Sequence, residues 1–276
     1  MALTGFQRGL LQVLARNRSP NSLFAGGLTL NRDRPRLSED FDIEHTTAEA
    51  VRGAYETDCG VLVAVGYDVT EIKLAKGLAQ ARVSAGGGAT LIDWTLDTAW
   101  RFFPAVADRE FGWRLHDLDL AVNKVLALAG RREPRDYYDV VSLIRDGVPL
   151  SALAWAGCAK DPGLTPTLIL DECVHNSRYG PEALRAGVTT SEPVDPGAMA
   201  VMFRAAVRNA RDLIEVLPLD QAGHLYLDAG GRCVAPDPAG VRAGTVTLHA
   251  AALGGAWPVP LDGPEEDDEP EDSPTP

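Results

Sequence analysis

Residues 24–43 read FAGGLTLNRDRPRLSEDFDI, and the order of pieces in this stretch decides what fold the chain can build. An apolar run from Ser22 meets Gly26 and Gly27, as a strand does on entering a tight turn, and a helix beginning at or after Gly27 would continue it. Ten residues beyond Gly27, LSEDFDI (37–43) alternates in character and suits a strand, with Asp40 thirteen residues from that glycine. Asp40 and Asp42 are then two residues apart and project from one face. Two carboxylates placed this way can share a divalent cation, and Mg²⁺ takes oxygen ligands while keeping positions open for triphosphate oxygens. Taken alone, a DxD pair reads more often as a solvated strand edge, and a GG pair says less still. The combination of glycine turn, carboxylate pair and a later acid is what favours a metal–nucleotide site.

That later acid lies in LAQARVSAGGGATLIDWTL (78–96), two strands around a turn at Gly86, Gly87 and Gly88. Nothing helical follows these glycines, so they read as a hairpin turn and not a phosphate loop. Leu91, Asp93 and Thr95 share one face, and Ile92, Trp94 and Leu96 the other. Asp93 is therefore the candidate third acid. Upstream, residues 5–16 have helical spacing, HTTAEAVRGAYE reads as a helix capped by Thr46 or Thr47, and VLVAVG (61–66) reads as a short strand. Trp94, Trp100, Phe102 and Phe103 read as core.

From Asp117 the pattern turns helical. LDLAVNKVLALAG ends at Gly130, PRDYYDVVSLIRDG restarts at Pro134, and Thr165-Pro166 and Asp195-Pro196 open two further helices. Residues 223–260 hold a candidate hairpin, HLYLDAGGRCVA, and a strand or helix, TVTLHAAAL. The expected organisation is an α/β (α+β) unit over 1–115, a mainly helical unit over 116–222 that completes a cleft, an accessory segment over 223–261 and an acidic tail over 262–276.

Composition is compatible with this. The chain has 276 residues and a net charge of -13, but eight of its 39 acids fall between Asp262 and Asp272. The remainder, 31 acids against 26 bases, is nearly balanced. The tail is too polar to pack and reads as disordered. Four scattered cysteines and five histidines show no metal-ligand spacing, and no apolar stretch reaches the length of a membrane span, so the reading is a cytoplasmic protein without membrane association. His45 and His116 read as structural or exposed.

Lys124 sits in an otherwise apolar helical segment, so its ammonium either snorkels to solvent or enters a polar cleft. Asp136 and Asp139 lie near a helix start, where acids are favoured in any case. Arg32, Arg34 and Arg36 form one basic cluster, and Arg131, Arg132 and Arg135 another, which a phosphate-rich substrate would need in an acidic protein.

The order GG, DxD, isolated strand Asp resembles the nucleotidyltransferase superfamily related to DNA polymerase β. Over residues 20–145, FAGGLTLNRDRPRLSEDFDI together with LHDLDLAVNKVLALAGRREPRDYYDVVSL is similar to the nucleotidyl transferase AbiEii/AbiGii toxin family. The resemblance implies a minimal nucleotidyltransferase fold with a mixed sheet and a helical C-terminal region. It also implies Mg²⁺ (Mn²⁺ as alternative), an NTP co-substrate, and a toxin role opposed by an antitoxin protein. The acceptor would be an RNA, tRNA included, or a protein hydroxyl. Carried over, Asp40, Asp42 and Asp93 would be the metal acids. Gly26, Gly27, Thr29, Arg36, Ser38, Arg135 and Asp136 would contact nucleotide. Lys124 would hold the triphosphate, and Asp139 would either fix Lys124 or orient the acceptor. Leu28 departs from the pattern, because many relatives carry Ser or Thr directly after the glycines. That departure keeps open a nucleotide-sensing module without turnover; a metal-dependent phosphohydrolase is the other alternative.

Overall fold

The computed structural model describes residues 3–258. The expected acidic tail lies outside them. The chain runs α1 (Gly5–Leu14), β1 (Ser22–Ala25), α2 (Gly26–Leu30), β2 (Asp40–His45), α3 (Ala48–Ala64), β3 (Asp68–Ala75), β4 (Leu78–Ala85), β5 (Gly88–Leu96), β6 (Trp100–Arg101), β7 (Val106–Asp108) and β8 (Gly112–Arg114). It continues through α4 (Asp117–Gly130), α5 (Pro134–Arg145), α6 (Leu150–Gly157), α7 (Pro166–Asn176), α8 (Pro181–Ala186) and α9 (Pro196–Ile214). The described chain closes with β9 (His224–Asp228), α10 (Pro238–Arg242), β10 (Val246–Ala250) and β11 (Ala252–Leu253).

Seven strands form one mixed sheet in the order β3-β4-β5-β2-β1-β8-β7. β2 runs parallel to β5 and β1 parallel to β8, while the other neighbours are antiparallel. The α/β expectation holds. Alternation sets the two faces: Phe41, Ile43 and His45 are buried on one side of β2, and Asp40, Asp42 and Glu44 lie on the other. Phe41, Ile43, Ile92 and Trp94 pack with Leu10 and Leu14 of α1 and Leu62 of α3, forming a core beneath the sheet. A second core joins β1 to the helices α4, α5, α6, α7 and α9 and to β9. The acidic face of β2 and β5 is thus set toward the helical half, with solid packing behind it.

Helix boundaries follow local chemistry. Thr4 and Gln7 make a reciprocal capping box at α1. Thr47, Thr165 and Asp195 accept from backbone N–H groups at the starts of α3, α7 and α9. Pro134 occupies the first turn of α5.

Two readings need correction. VLVAVG (61–66) is not a strand, because α3 continues to Ala64. Its buried positions Val51, Tyr55, Asp58 and Leu62 follow helical spacing, while Val61, Val63 and Val65 stay exposed. Trp100 is 43% exposed and not core. β6 is a two-residue strand whose alternate position, Arg101, is the one turned inward. His45 and His116 are structural: His45 Nε2 lies 3.0 Å from Ser22 Oγ, and His116 Nδ1 accepts from Leu118 N–H at the start of α4. β9 and β10 pair as an antiparallel ladder. No described helix is long and apolar enough to cross a membrane.

Candidate active site

Ala25 pairs with Asp42 across the β1–β2 ladder, so the chain turns directly above that carboxylate. Gly26 has φ +65°, and a Cβ there would lie 1.8 Å from Asp42 Oδ2. A side chain fails on both counts. At Gly27 a Cβ would lie 2.4 Å from Arg36 Nη2 and 3.1 Å from Ser38 Oγ. The glycine pair therefore makes room for one acid and one cation of the same site.

The acids gather across two parallel strands. Asp42 is the register partner of Asp93, and Asp40 lies two residues earlier on the same face of β2. Gln80 Nε2 donates to Asp93 Oδ1 at 2.7 Å, and Arg135 Nη1 donates to Asp40 Oδ2 at 3.0 Å. The Asp93 carboxyl is held above the usual carboxylate range, by burial first and then by the negative charges of Asp42 and Asp40, against the opposing hydrogen bond from Gln80. The three acids thus share one electrostatic neighbourhood. Glu44 extends the row. Its Oε2 is buried without a hydrogen-bond partner, and burial, assisted by Asp97 and Asp42, pushes its carboxyl up to about 8. Burial thus disfavours a charge on Glu44.

Facing the acids is a compact cationic knot. Lys124 Nζ donates to Asp136 Oδ1 at 3.1 Å and lies 3.3 Å from Asp139 Oδ2. Arg36 grips Asp139 with two bonds, 2.6 Å to Oδ1 and 3.0 Å to Oδ2, and Arg131 Nε donates to Asp136 Oδ2 at 2.7 Å. Asn31 Nδ2 completes the set, donating to Asp139 Oδ1 and to the Gly27 carbonyl. Three cations face two fully buried carboxylates, which leaves one surplus positive charge. Burial alone would raise the Asp136 carboxyl, but Lys124 and Arg131 outweigh it and hold it below the usual range. Arg135, bonded to Asp40, joins this knot to the acids.

The structure therefore brings Gly26, Gly27, Asp40, Asp42, Asp93, Lys124, Arg36, Arg135, Asp136 and Asp139 into one neighbourhood, but assigns some of them other work. Thr29 is fully buried and its hydroxyl donates to the Ala25 carbonyl at 2.8 Å, so it offers no phosphate contact; a hydroxyl inside a helical turn satisfies itself on the preceding carbonyl. Arg36 is committed to Asp139 and is not a free phosphate ligand. Ser38 is buried beside Gly27, and its carbonyl accepts from Gln7 Nε2. Both Asp139 oxygens are occupied by Asn31, Arg36 and Lys124, so this acid clamps cations and has no free face for a reacting group. Sequence reasoning missed Asn31, Gln80 and Glu44. Only Glu44 left a signal, the continued alternation DFDIEH.

Metal fit turns on the donor set. Among the described residues no group of three Asp, Glu, His or Cys side chains is arranged as a ready metal cage, and Asp40 and Asp93 are bonded to Arg135 and Gln80. The donors themselves fit a hard cation: Asp42 and Asp93 are adjacent oxygen ligands whose mutual repulsion a divalent ion would relieve.

No protein-family model matches the sequence, and no curated protein matches it. Among solved structures, the chain is similar to MenT4, a nucleotidyltransferase toxin from Mycobacterium tuberculosis H37Rv, at 18% identity and a TM-score of 0.54, covering 78% of this chain and 83% of that one. A nucleotidyltransferase structure from H. pylori aligns at 16% identity and a TM-score of 0.46, covering 78% of this chain and 99% of that one, a likeness too low to carry argument. The first likeness establishes one thing: this chain has the mixed α/β nucleotidyltransferase fold.

Proposed function

We propose that the chain is a nucleotidyltransferase that moves a nucleotide from an NTP to an acceptor hydroxyl. The observation that carries this reading is the register pairing of Asp42 with Asp93, opposite a lysine pinned by two buried carboxylates. In the reaction the acceptor oxygen bonds to the α-phosphorus, the bond to the β-phosphate oxygen breaks, and pyrophosphate leaves. A bound Mg²⁺ would supply Lewis-acid stabilisation of phosphate charge, held by Asp42 and Asp93, with Asp40 joining when Arg135 releases it. Lys124, fixed by Asp136 and Asp139, presents a point cation to the oxygens of the leaving pyrophosphate. Arg131 and Arg135 add charge at the cleft rim. Asp93 Oδ2, which does not carry the Gln80 bond, can take the proton of the attacking hydroxyl.

A sensor without turnover has one observation in its favour: Leu28 is buried in the core and the Thr29 hydroxyl is turned away, so neither residue after the glycines offers a hydroxyl to phosphate. Incubation with each α-labelled NTP, Mg²⁺ and total RNA separates the two readings. Labelled RNA or self-labelled protein is the expected result. Tight NTP binding with no transfer to any acceptor supports the sensor. The toxin role, with an antitoxin partner, draws on the fold likeness to a nucleotidyltransferase toxin and on a motif resemblance that no family model bears out; it predicts that induction in a bacterial host slows growth and that Asp42→Ala removes the effect.

A further inference from the structure

The helical half carries a second concavity that this chemistry does not use. A cavity of about 440 Å³ lies between the end of α7, the turn that follows it and one face of α9. Its wall is aromatic: Tyr137 stacks on Tyr179 at 6.2 Å and meets Phe203 edge-on at 5.2 Å. Arg204 and Arg208, one helical turn apart on α9, line it together with Arg178. All three arginines are exposed, and among the described residues none has an acidic partner at ion-pair distance, unlike Arg211, which is paired with Asp171. The Tyr179 hydroxyl is buried without a hydrogen-bond partner, and the Arg132 guanidinium lies 5.3 Å over its ring.

The concavity adjoins the proposed site through the first turn of α5. Asp136 holds Lys124 and Arg131, and the next residue, Tyr137, lines the aromatic wall. Arg131 lies within electrostatic reach of Asp42, and Tyr179 within reach of Asp136. In a chain of net charge -13, three exposed arginines without acidic partners beside an aromatic wall form a local site for a polyanion. Guanidinium forks match phosphate, and a base can take the place that the Arg132 guanidinium holds over the Tyr179 ring. An acidic peptide would use the arginines too, but a nucleic-acid strand carries a flat ring with every phosphate.

We propose that this groove holds a single-stranded RNA segment of the acceptor, with phosphates on Arg178, Arg204 and Arg208 and a base against Tyr179. The resemblance already implies an RNA acceptor; the groove gives that strand a place on the chain, and its role rests on the transferase reading. The test is fluorescence anisotropy of a labelled single-stranded RNA of about 12 nucleotides with the full chain, without NTP or divalent cation. Arg204→Glu with Arg208→Glu is expected to weaken binding at least about tenfold and to reduce the slope of log K against log salt by roughly 1.4. The neutral pair Arg204→Gln with Arg208→Gln, less apt to perturb α9, is expected to reduce the slope in the same way. Tyr179→Ala is expected to weaken binding about tenfold, with Tyr179→Phe restoring most of it. Arg52→Gln, on the exposed side of α3 beneath the sheet, leaves binding unchanged. Affinity within twofold of wild type in both arginine pairs overturns the groove, as does displacement of the RNA by polyglutamate at equal charge concentration. Intact RNA binding by a wild-type protein that transfers no label sinks the transferase reading and leaves the groove standing.

Discussion

Two buried charge clusters lie on opposite sides of the same sheet, and they differ in what their charges have left to do. Under the sheet, Asp58 of α3 accepts from Asn17, from Arg18 and from Trp94 Nε1, and both members of the ion pair are fully buried. Above it, Asp136 and Asp139 hold Lys124, Arg36 and Arg131 beside the half-buried Asp40, Asp42 and Asp93. Trp94 and Asp93 are consecutive residues, so one strand serves both clusters from its two faces. In the lower cluster one guanidinium charge meets one carboxylate charge, tying the turn after α1 to α3 and β5. The upper one carries a surplus cation facing carboxylates that repel one another. Burial of charge alone does not mark a functional site; charge left uncompensated at a cleft does.

Substitutions can break this contrast, beginning with the largest expected effect. Asp139→Ala strands Arg36 and Lys124, both nearly buried, without their shared partner; it is expected to lower stability by about 3–5 kcal/mol in chemical denaturation and transfer by more than 100-fold. Asp58→Ala is expected to cost a similar 3–5 kcal/mol, since Arg18 would be left buried and unpaired. Here the transfer rate per folded molecule stays within a few-fold of wild type. Equal loss of specific activity in both variants would erase the distinction between the clusters.

pH offers a smaller test of the lower cluster. Burial, with Arg18 nearby, pushes the His45 imidazole down to about 4, below its ordinary value near 6.5. In that window the unfolded chain binds a proton that the folded one does not, so stability is present above pH 6.5 and is lost as pH falls toward 4. The loss is at most about 3 kcal/mol. Denaturation of wild type and His45→Gln across this range should show a flatter pH profile for the variant; parallel profiles would contradict the assignment. The smallest expected effect belongs to Thr29→Val. Losing the bond to the Ala25 carbonyl should cost about 1 kcal/mol and leave transfer within twofold, whereas a large activity loss would return this hydroxyl to the phosphate site.

Much of this was legible in the chain, for a physical reason. Strand alternation has a period of two, so DFD set Asp40 and Asp42 on one face of their strand and IDW set Asp93 opposite Ile92 and Trp94 on its own, while the pairing that joins the two strands was not readable. Proline and glycine marked the limits of α4 and α5 just as clearly. Partner choice was not legible. Arg36 and Asp139 are 103 residues apart, and nothing local distinguishes a guanidinium bound for a carboxylate from one bound for a phosphate. The end of α3 misled because a run of valines has strand character, while its burial is decided by the helix that carries it.

The central claim is that chemistry occurs at the acids of β2 and β5. It is tested most directly by single-turnover transfer from an α-labelled NTP, comparing wild type with Asp42→Asn at matched thermal melting midpoints. The account predicts label with wild type and a loss of at least about 1000-fold in Asp42→Asn with the fold unchanged. Label transfer at the wild-type rate by Asp42→Asn would contradict it.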